Sequence, residues 1–397
     1  MERIPGQRAI FRALRHRRRL RAEVAQLLFV VAGVTLGLAA PSVSAGPTVP
    51  ADEVKTLLFS LSAGVIAFIS IVFSLLFLVV QFGSTTLTPR LNLFRDDPLV
   101  WRAFGYFMGV FAGCATAGLA IGGDNTVSIF VPILAMVAVL AALVIFRALQ
   151  FAAFRSIQLA TTLFDIVEHG RAVIDALYDE PYEEQDCSPP TLPAVTAELR
   201  WPNRSAVLQG IDLPALVSAA ERSGSVIELT VAVGDILREN GVIATICGSE
   251  NAHDDETVLH CLTGGRERTF DQDPRFAFRL LVDIALRALS SSTNDQATAV
   301  QVIDAIDSIL GQLVTRQLDV GAVTGPDGAL RVVLVLPSWD QYLALAVDEI
   351  TRSAENVPTV LERLDRLMQD LATDAPVHRQ AALEQRRRSL ALPSSHR

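Results

Sequence analysis

Arginine and aspartate side chains recur at helical spacing just before a polar stretch, "RALSSSTNDQATAVQVIDAID", which covers residues 287–307. Opposite charges four positions apart can pair along one face of a helix. Such a face, followed by hydroxyl, amide and carboxylate groups, could bind a charged ligand or partner, or orient a reacting group. The candidate cytoplasmic ligand or partner site therefore comprises Arg279, Asp283, Arg287, Asn294 and Asp295.

A structural interpretation competes with chemistry for the same residues. Asn294 and Asp295 precede an apolar pattern of helical period, and either side chain can accept hydrogen bonds from the free N–H groups of a first helical turn. The polar stretch then ends one helix and caps the next. We favour this interpretation, because the sequence shows no nucleophile–base pair, metal set or phosphate loop beside it. An enzyme is accordingly the weakest functional hypothesis, and no catalytic residue is assigned.

A second cluster, "ENAHDDETVLHC", contains side chains of the types that bind metal ions. These are His253, Asp254, Asp255, Glu256, His260 and Cys261. Their spacing matches no zinc motif, and the pattern favours a polar hairpin tip followed by a strand. The sequence therefore predicts neither a metal nor another cofactor.

The two parts of the chain differ in charge. Residues 1–150 carry 13 basic and 7 acidic side chains, a net charge of +6, whereas residues 151–397 carry 21 and 36, a net charge of −15. This acidic part argues against a nucleic-acid partner, which requires basic surface. The four scattered cysteines, Cys114, Cys187, Cys247 and Cys261, predict free thiols in a reducing compartment.

Four apolar stretches in the first 150 residues are long enough to span a bilayer, which takes about 20 residues. They cover residues 24–40, 57–82, 101–121 and 127–149, and their centres are uncharged. Arginines concentrate before the first stretch, between the second and third, and after the fourth. The positive-inside rule then places both termini in the cytoplasm, and we predict a multi-pass protein of the bacterial inner membrane.

The first stretch has an alternative interpretation. A basic start, an apolar run and "PSVSAG" resemble a cleavable signal peptide. The apolar run is longer than the 7–15 residues of a usual signal peptide, so we favour a retained span. Cleavage would leave the remaining topology unchanged.

The second stretch carries small and polar residues at spacings of three, four or seven, which places them on one stripe of a helix. These are Ser60, Gly64, Ser70, Ser74 and Gln81, together with Ala67. The stripe fits either close helix packing or the lining of a pore. Packing is favoured, because the stripe contains no ionisable group.

The segment after the second stretch, "QFGSTTLTPRLNLFRDDPLVW", mixes apolar and basic side chains. Such a segment can lie in the membrane interface, where Arg90, Arg95 and Arg102 would reach the headgroup phosphates of membrane lipids. A plain cytoplasmic connector that carries topology signals explains the same residues equally well.

The remaining chain predicts a cytoplasmic α+β domain. Residues 1–21 form a basic N-terminal segment, 22–150 the four-helix membrane domain, 151–180 a helical stalk that continues the fourth span, 181–378 the α+β domain, and 379–397 a basic, disordered tail. Within the domain, "VAVGDILRENGVIATI" resembles the turn of biotinyl and lipoyl domains, but the region has no lysine to which a cofactor could attach. Gly234 and Asp235 are predicted to serve a turn, since glycine tolerates positive φ.

The order of motifs resembles a bacterial family of predicted membrane proteins, domain of unknown function 2254. The matching pieces are "SAGVIAFISIVFSLLFLVVQFGSTTLTPRLNLFRDD", "RSIQ", "VLQGIDLPAL", "VGDILRENGVIATI", "ERTFDQDPRFAFRLLVDIALRALSSSTNDQATA" and "PSWDQYLALAVDEI". They cover roughly residues 20–390. The resemblance implies an integral membrane protein and no particular activity.

The functional expectation is an oligomeric structural or regulatory membrane protein whose cytoplasmic domain binds a partner or small ligand. An alternative is an oligomeric channel for ions or small solutes, in which the second span lines the pore and the cytoplasmic domain gates it. Both predict a homo-oligomer surrounded by membrane lipids.

Overall fold

The computed structural model describes residues 25–43, 46–82, 98–183, 191–248 and 255–390. The chain forms two compact units, Met1–Thr161 and Thr162–Arg397. Each unit has its own hydrophobic core.

The described residues of the first unit form a bundle of four helices. They are α1 (Ala25–Ser42, 3-10 over its last three residues), α2 (Ala51–Phe82), α3 (Pro98–Ala120) and α4 (Phe130–Ile157). Each contains a stretch of sufficient length and apolar composition to cross a membrane. The prediction of four membrane spans is confirmed in this sense.

Close contact between α1 and α3 depends on glycines in both helices. A Cβ atom on Gly33 would overlap the carbonyl oxygen of Gly109, and one on Gly109 would lie 2.5 Å from the carbonyl oxygen of Phe29. Gly37 faces Gly113 in the same way, one helical turn further along. Glycines four residues apart on each helix therefore let the two backbones touch, as small residues do in membrane helix pairs. This contact was not predicted from the sequence.

Two short strands join the loops at one end of the bundle. Strand β1 (Thr48–Pro50) pairs antiparallel with β2 (Thr126–Ser128). The pairing continues on both sides of the strands, because Ala51 N–H donates to Asn125 O (3.1 Å) and Ile129 N–H donates to Pro47 O (3.0 Å). The starts of α2 and α4 are thereby held together.

The described residues of the second unit form two sheets. Their strands are β3 (Val195–Arg200), β4 (Ala206–Ile211), β5 (Val226–Leu229), β6 (Ile236–Leu237), β7 (Val242–Cys247), β8 (Leu262–Gly265), β9 (Ala322–Thr324) and β10 (Leu330–Val333). The larger sheet has the order β3-β7-β5-β10-β9 and the smaller β6-β4-β8. All neighbours are antiparallel except β5 and β10.

Helix α8 (Pro274–Ala288) supplies ten buried residues to this unit. Its start is set by the Asp273 N-cap and by proline in the first turn, where a missing N–H costs nothing. The other helices are α5 (Leu159–Leu177), α6 (Leu213–Ser223), α7 (Asp255–His260), α9 (Gln296–Leu313), α10 (Trp339–Leu343), α11 (Glu349–Ser353), α12 (Pro358–Asp374) and α13 (Val377–Ser389). A π-helical segment, Ala344–Asp348, joins α10 to α11.

The predicted continuous stalk is two helices in the structure. Helix α4 ends at Ile157, Gln158 is extended, and α5 begins at Leu159. The apolar face that suggested a stalk is a packing face instead, because a Cβ on Gly170 would lie 2.7 Å from Ala277 and 3.3 Å from Ile309. From Thr162 onward, α5 belongs to the second unit.

Two further predictions are wrong. Residues 379–389 of the predicted disordered tail lie in α13, where Leu383 is buried and Arg379 is 3% exposed. The residues from Asp255 to His260 form helix α7 and not the tip of a hairpin. Carboxylates at the positive end of the helix dipole, Asp255 and Glu256, favour this helix start.

Candidate functional site

Arg279 of α8 joins two helices through two carboxylates. Its Nε donates to Asp283 Oδ1 (2.8 Å), and its Nη1 and Nη2 donate to Glu349 Oε1 (2.6 Å) and Oε2 (3.2 Å). Nη2 also contacts the same Asp283 oxygen. Burial lowers the pKa of Arg279, but the hydrogen bonds that it donates to Glu349 and Asp283 and the negative charges of these carboxylates together outweigh burial, so the net pKa is raised.

These hydrogen bonds and ion pairs link α8 to α11. The i, i+4 pairing of Arg279 with Asp283 confirms the spacing argument. Glu349 lies 70 residues away in the chain and was missed. Carboxylates accept hydrogen bonds from both edges of the Arg279 guanidinium. The side chain is therefore fixed, and its primary role is structural.

The other predicted residues lie at the far end of α8. Arg287 is eight residues beyond Arg279, about 12 Å along the helix axis. Asp295 N–H donates to Ala288 O (2.8 Å), and Asn294 adopts a positive φ of 47° in the turn between the helices. The structure thus separates Arg279 and Asp283, which form an ion pair, from Arg287 near the end of α8 and from Asn294 and Asp295 in the junction with α9.

Asp295 is the N-cap of α9, as the capping interpretation expected. Its Oδ1 accepts from Thr298 N–H (3.0 Å) and its Oδ2 from the Thr298 hydroxyl (2.7 Å). The Thr298 N–H lowers the pKa of Asp295 below its ordinary value of 3.8. Capping of α9 by Asp295 therefore gives the polar stretch before this helix a structural role.

Replacing Asp295 with alanine should destabilise the second unit by about 1 kcal/mol, because the first turn of α9 loses its cap. Asp295→Asn is the matched control and should cost little, since asparagine caps equally well. The carboxylate's contribution is present at neutral pH and is lost as pH falls below 3.8 through the folded-state pKa. Thermal midpoints of the full chain measure both variants, and equal midpoints for them would contradict the assignment.

A cluster around Asp273 was missed by the sequence analysis. The Asp273 side chain is 1% exposed, and it accepts hydrogen bonds from Arg268 Nε (2.6 Å) and Arg275 N–H (3.1 Å). Burial raises the pKa of Asp273, while the two arginines act in the opposite direction. The burial contribution is larger, so the folded unit favours the proton on this carboxyl group more than water does.

The Asp273 cluster holds the turn that resembles biotinyl domains. Arg275 Nη2 donates to Val233 O (2.8 Å) and to Asp235 Oδ1 (2.7 Å). Gly234 has a φ of 93°, which confirms the predicted turn, and a Cβ there would overlap the Asp273 carboxylate. Two motifs about forty residues apart in the chain therefore form one polar junction around the buried Asp273 carboxylate.

The neighbouring Gln272 completes the junction. Its side-chain amide pairs with the backbone of Ile211 in β4: Ile211 N–H donates to Oε1 (2.8 Å), and Nε2 donates to Ile211 O (3.2 Å). The segment 268–275 thus contacts the smaller sheet through Gln272 and the Gly234 turn through Arg275. "DQDPR" and "VGD" are visible in the sequence, but their meeting is a long-range contact that no local pattern predicts.

Two buried tyrosines lie near the same arginine. The hydroxyl oxygens of Tyr178 and Tyr342 are 3.0 Å apart. Burial raises the pKa of Tyr178 to about 12 and that of Tyr342 well above its ordinary value, while Arg275 lowers both. Both phenols are therefore neutral at physiological pH and form part of the core.

The predicted stripe on α2 faces outward in the first unit. All five residues, Ser60, Gly64, Ser70, Ser74 and Gln81, are exposed, and the buried face of α2 (Leu58, Val65, Val72) lies on the opposite side. A Cβ on Gly64 would meet no atom of the described residues within 4 Å. The stripe therefore lies on the outward face of α2 and not on the face that is buried in the bundle.

The predicted lipid-contacting arginines are only partly described. Arg90 and Arg95 lie outside the described residues, and Arg102 is exposed on α3. Their contact with headgroups stays a prediction. In the acidic cluster, His253 and Asp254 also lie outside, and the described ranges contain no group of three or more His, Cys, Asp or Glu that could hold a metal ion.

An open cleft of about 580 Å³ lies between α5 and α9. Its lining residues are Arg171, Asp304, Asp307, Ser308, Gly311 and Gln312. Arg363 of α12 donates to Asp304 (2.6 Å) and Asp307 (2.6 Å), so these carboxylates pair with α12 and not with the arginines of α8. The cleft presents charged and amide groups on a broad, shallow surface.

A unit with four helices fit to cross a membrane, followed by a mixed helix and sheet unit, defines the class: a multi-pass membrane protein with a folded extramembrane domain. The chain belongs to the family described as predicted membrane protein (DUF2254), which matches residues 21–370. The resemblance drawn from the motifs is thereby confirmed.

Similar proteins include uncharacterized proteins of Mycobacterium bovis and Mycobacterium tuberculosis. Each is 31% identical to this chain over an alignment of 335 residues. The alignment covers 81% of this chain and 64% of the relative. The chain thus spans less than two thirds of the length of the curated relatives it matches. No solved structure matches the chain.

Proposed function

We propose that this protein is an oligomeric structural or regulatory component of the bacterial inner membrane, with α2 at the subunit interface and the second unit in the cytoplasm. The outward face of α2 carries the proposal. Seven exposed residues follow one another there at alternating spacings of four and three: Ser60, Gly64, Ala67, Ile71, Ser74, Leu78 and Gln81. This is the seam spacing of left-handed helix pairs.

The composition of this seam distinguishes it from a surface that faces only lipid. Its first three members and Ser74 are small, whereas the exposed side chains of α4 include Leu140 and Val144. Large apolar side chains suit lipid, while small ones let a second helix approach. The proposed neighbour on the seam is α2 of another copy.

The seam hydroxyls favour packing over the lining of a pore. Ser60 Oγ donates to Thr56 O (2.7 Å), and Ser70 Oγ, at the seam's edge, donates to Ile66 O (3.1 Å). Because these hydroxyls are satisfied by their own helix, they do not require water. A channel is the alternative that the same face would support if copies surrounded a central pore.

The arginine distribution supports the orientation. Eight of the arginines precede α1, whereas the loop between α3 and α4 carries only Asp124 as an ionisable residue. Cysteines placed at Asp124 and at the exposed Ser291 distinguish the two sides. A membrane-impermeant maleimide should label Asp124→Cys in intact spheroplasts and Ser291→Cys only after permeabilisation, and the reverse pattern would refute this orientation.

A partner- or ligand-binding role for the second unit rests on the α5–α9 cleft. The cleft is broad and shallow, and its polar lining suits a surface of another protein better than an enclosed small molecule. Replacing Gly311 with tryptophan would fill it at an open position. Loss of co-purifying partners, with an unchanged thermal midpoint, is the expected result, and an unchanged partner set would remove the role from this cleft.

Cysteine cross-linking tests the seam. In a background without the native cysteines, Gly64→Cys and Ser74→Cys should give disulfide-linked dimers in membranes. Val144→Cys on α4 is the matched control, because it is apolar, exposed and within a span. We expect severalfold more dimer at the seam positions than at Val144.

Equal cross-linking at seam and control positions would contradict the interface. Ion flux across the membrane of liposomes that contain the full chain distinguishes the channel from the packing interface. Flux that is abolished by Ser74→Leu would establish a channel. Cross-linking at the seam without flux above that of empty liposomes would support the packing interface.

A further inference from the structure

Arg379 occupies a binding cage made by other parts of the second unit. Its side chain is almost fully buried in α13. Nη1 donates to Leu313 O (3.2 Å) and Val314 O (2.7 Å), and Nη2 donates to Arg316 O (2.9 Å). These carbonyls lie at the end of α9, where the helix dipole favours positive charge.

Aromatic rings form the remaining walls of the cage. The Arg379 Cζ lies 5.4 Å from the centre of the Tyr182 ring and 5.5 Å from that of Trp339, within the range of cation–π contact. Burial lowers the pKa of Arg379, while Asp319 and Tyr182 act in the opposite direction. The guanidinium donates to neutral acceptors: the three carbonyls and the ring Nε2 of His378, to which Arg379 Nε donates (3.3 Å). The cage therefore recognises the cation by neutral carbonyls and ring faces.

The chemistry of the cage selects a guanidinium group. A planar, delocalised cation can direct N–H groups at several carbonyls while its faces contact aromatic rings, whereas a lysine ammonium is a strongly hydrated point charge. One hydrogen-bond donor in the cage is unpaired: in the described part of the chain, the buried Trp339 Nε1–H has no acceptor.

Helix α13 is held to the unit by few apolar contacts. Arg379 and Leu383 are its buried residues, followed by Leu390 just beyond its end. The other attachments include the largely buried Arg386, which pairs with Asp340 (2.7 Å) and Asp348 (2.9 Å), and the half-exposed Arg387, which pairs with Asp365 (2.7 Å). The exposed Arg387 pair contributes little and is screened by salt. Arg379 is the most deeply buried polar side chain of α13 and therefore an anchor of this helix.

We propose that the cage formed by the Leu313, Val314 and Arg316 carbonyls and the Tyr182 and Trp339 rings is a guanidinium-binding site, and that α13 is a strap that occupies it with Arg379. The external ligand that fits is an arginine side chain of a partner peptide, which competes with the strap. This site is independent of the α2 seam.

Chemical rescue of Arg379→Ala tests the site in the full chain. Removal of the Arg379 side chain should lower the thermal midpoint by roughly 5–10 °C, as expected for the loss of a buried anchor in a unit of this size. Methylguanidinium at tens of millimolar, far below denaturing concentrations, should recover a large part of the shift. Equal concentrations of NaCl or tetramethylammonium should not. Arg388→Ala is the matched control, because Arg388 lies on the same helix but is exposed, and this variant should show no selective recovery.

A second measurement applies to the wild-type chain and does not depend on the folding of a variant. Hydrogen exchange of the α13 amides should accelerate in methylguanidinium relative to NaCl, while α12 stays protected. Recovery of Arg379→Ala no greater than in NaCl, or unchanged α13 exchange in the wild type, would overturn the proposal.

Discussion

Replacing Gly33 with alanine should destabilise the membrane bundle by about 3 kcal/mol or more, since an overpacked contact typically costs 1–3 kcal/mol and occasionally more. The added methyl group would overlap the carbonyl of Gly109, and the atom it meets is backbone, which cannot rotate away. Helices α1 and α3 would have to separate along the whole glycine contact. The measurement is the thermal midpoint of the full chain in detergent, followed by size-exclusion chromatography.

Gly64→Ala is the matched control for this prediction. Gly64 also lies in the middle of a membrane helix, but a Cβ there meets no described atom within 4 Å. The control should be neutral or slightly stabilising, because alanine is the better helix former and, like the seam residue Ala67, is small enough for the α2 seam. A midpoint for Gly33→Ala equal to that of Gly64→Ala would refute the close α1–α3 contact.

Asp273→Ala should destabilise the second unit by about 3–5 kcal/mol, the usual result of removing one partner of a buried ion pair. Arg268 and Arg275 would lose their shared acceptor, and α8 would lose its N-cap. The fluorescence of Trp201 and Trp339, both buried in this unit, reports its unfolding. Trp101→Phe removes the signal of the first unit.

Asp273→Asn should cost much less than Asp273→Ala, because the amide keeps one acceptor and the cap. The pH dependence has a definite sign. Burial raises the folded-state pKa above the ordinary 3.8, so the wild type loses stability relative to Asp273→Asn as pH rises from 3.8 through that raised pKa. Above it the difference is constant. A difference that moves in the opposite direction would show that arginine pairing outweighs burial.

The membrane half of the fold follows from local composition. Long apolar runs without central charge predict spans, because a bilayer requires them. The α1–α3 contact had a visible signal in Gly33, Gly37, Gly109 and Gly113, each pair four residues apart. Spacing alone does not say which helix meets which, so the partner had to come from the structure.

The second unit shows where local patterns lose their power. The cap at Asp295 and the pair of Arg279 with Asp283 depend on neighbours within four residues, and both were predictable. The contacts of Arg279 with Glu349 and of Asp273 with the Gly234 turn are long-range. The buried state of Arg379 was missed because a run of arginines near a chain end is typical of a solvated tail.

The mass of the protein in lipid nanodiscs or liposomes tests the central claim most directly. We expect a defined oligomer of the full chain by native mass spectrometry or photobleaching, and dissociation of that oligomer in Gly64→Leu, since a large side chain would block the α2 seam. The same substitution should leave each chain folded, because a Cβ on Gly64 meets no atom of the described residues within 4 Å. A monomer at every protein-to-lipid ratio, or an oligomer unaffected by Gly64→Leu, would contradict the account.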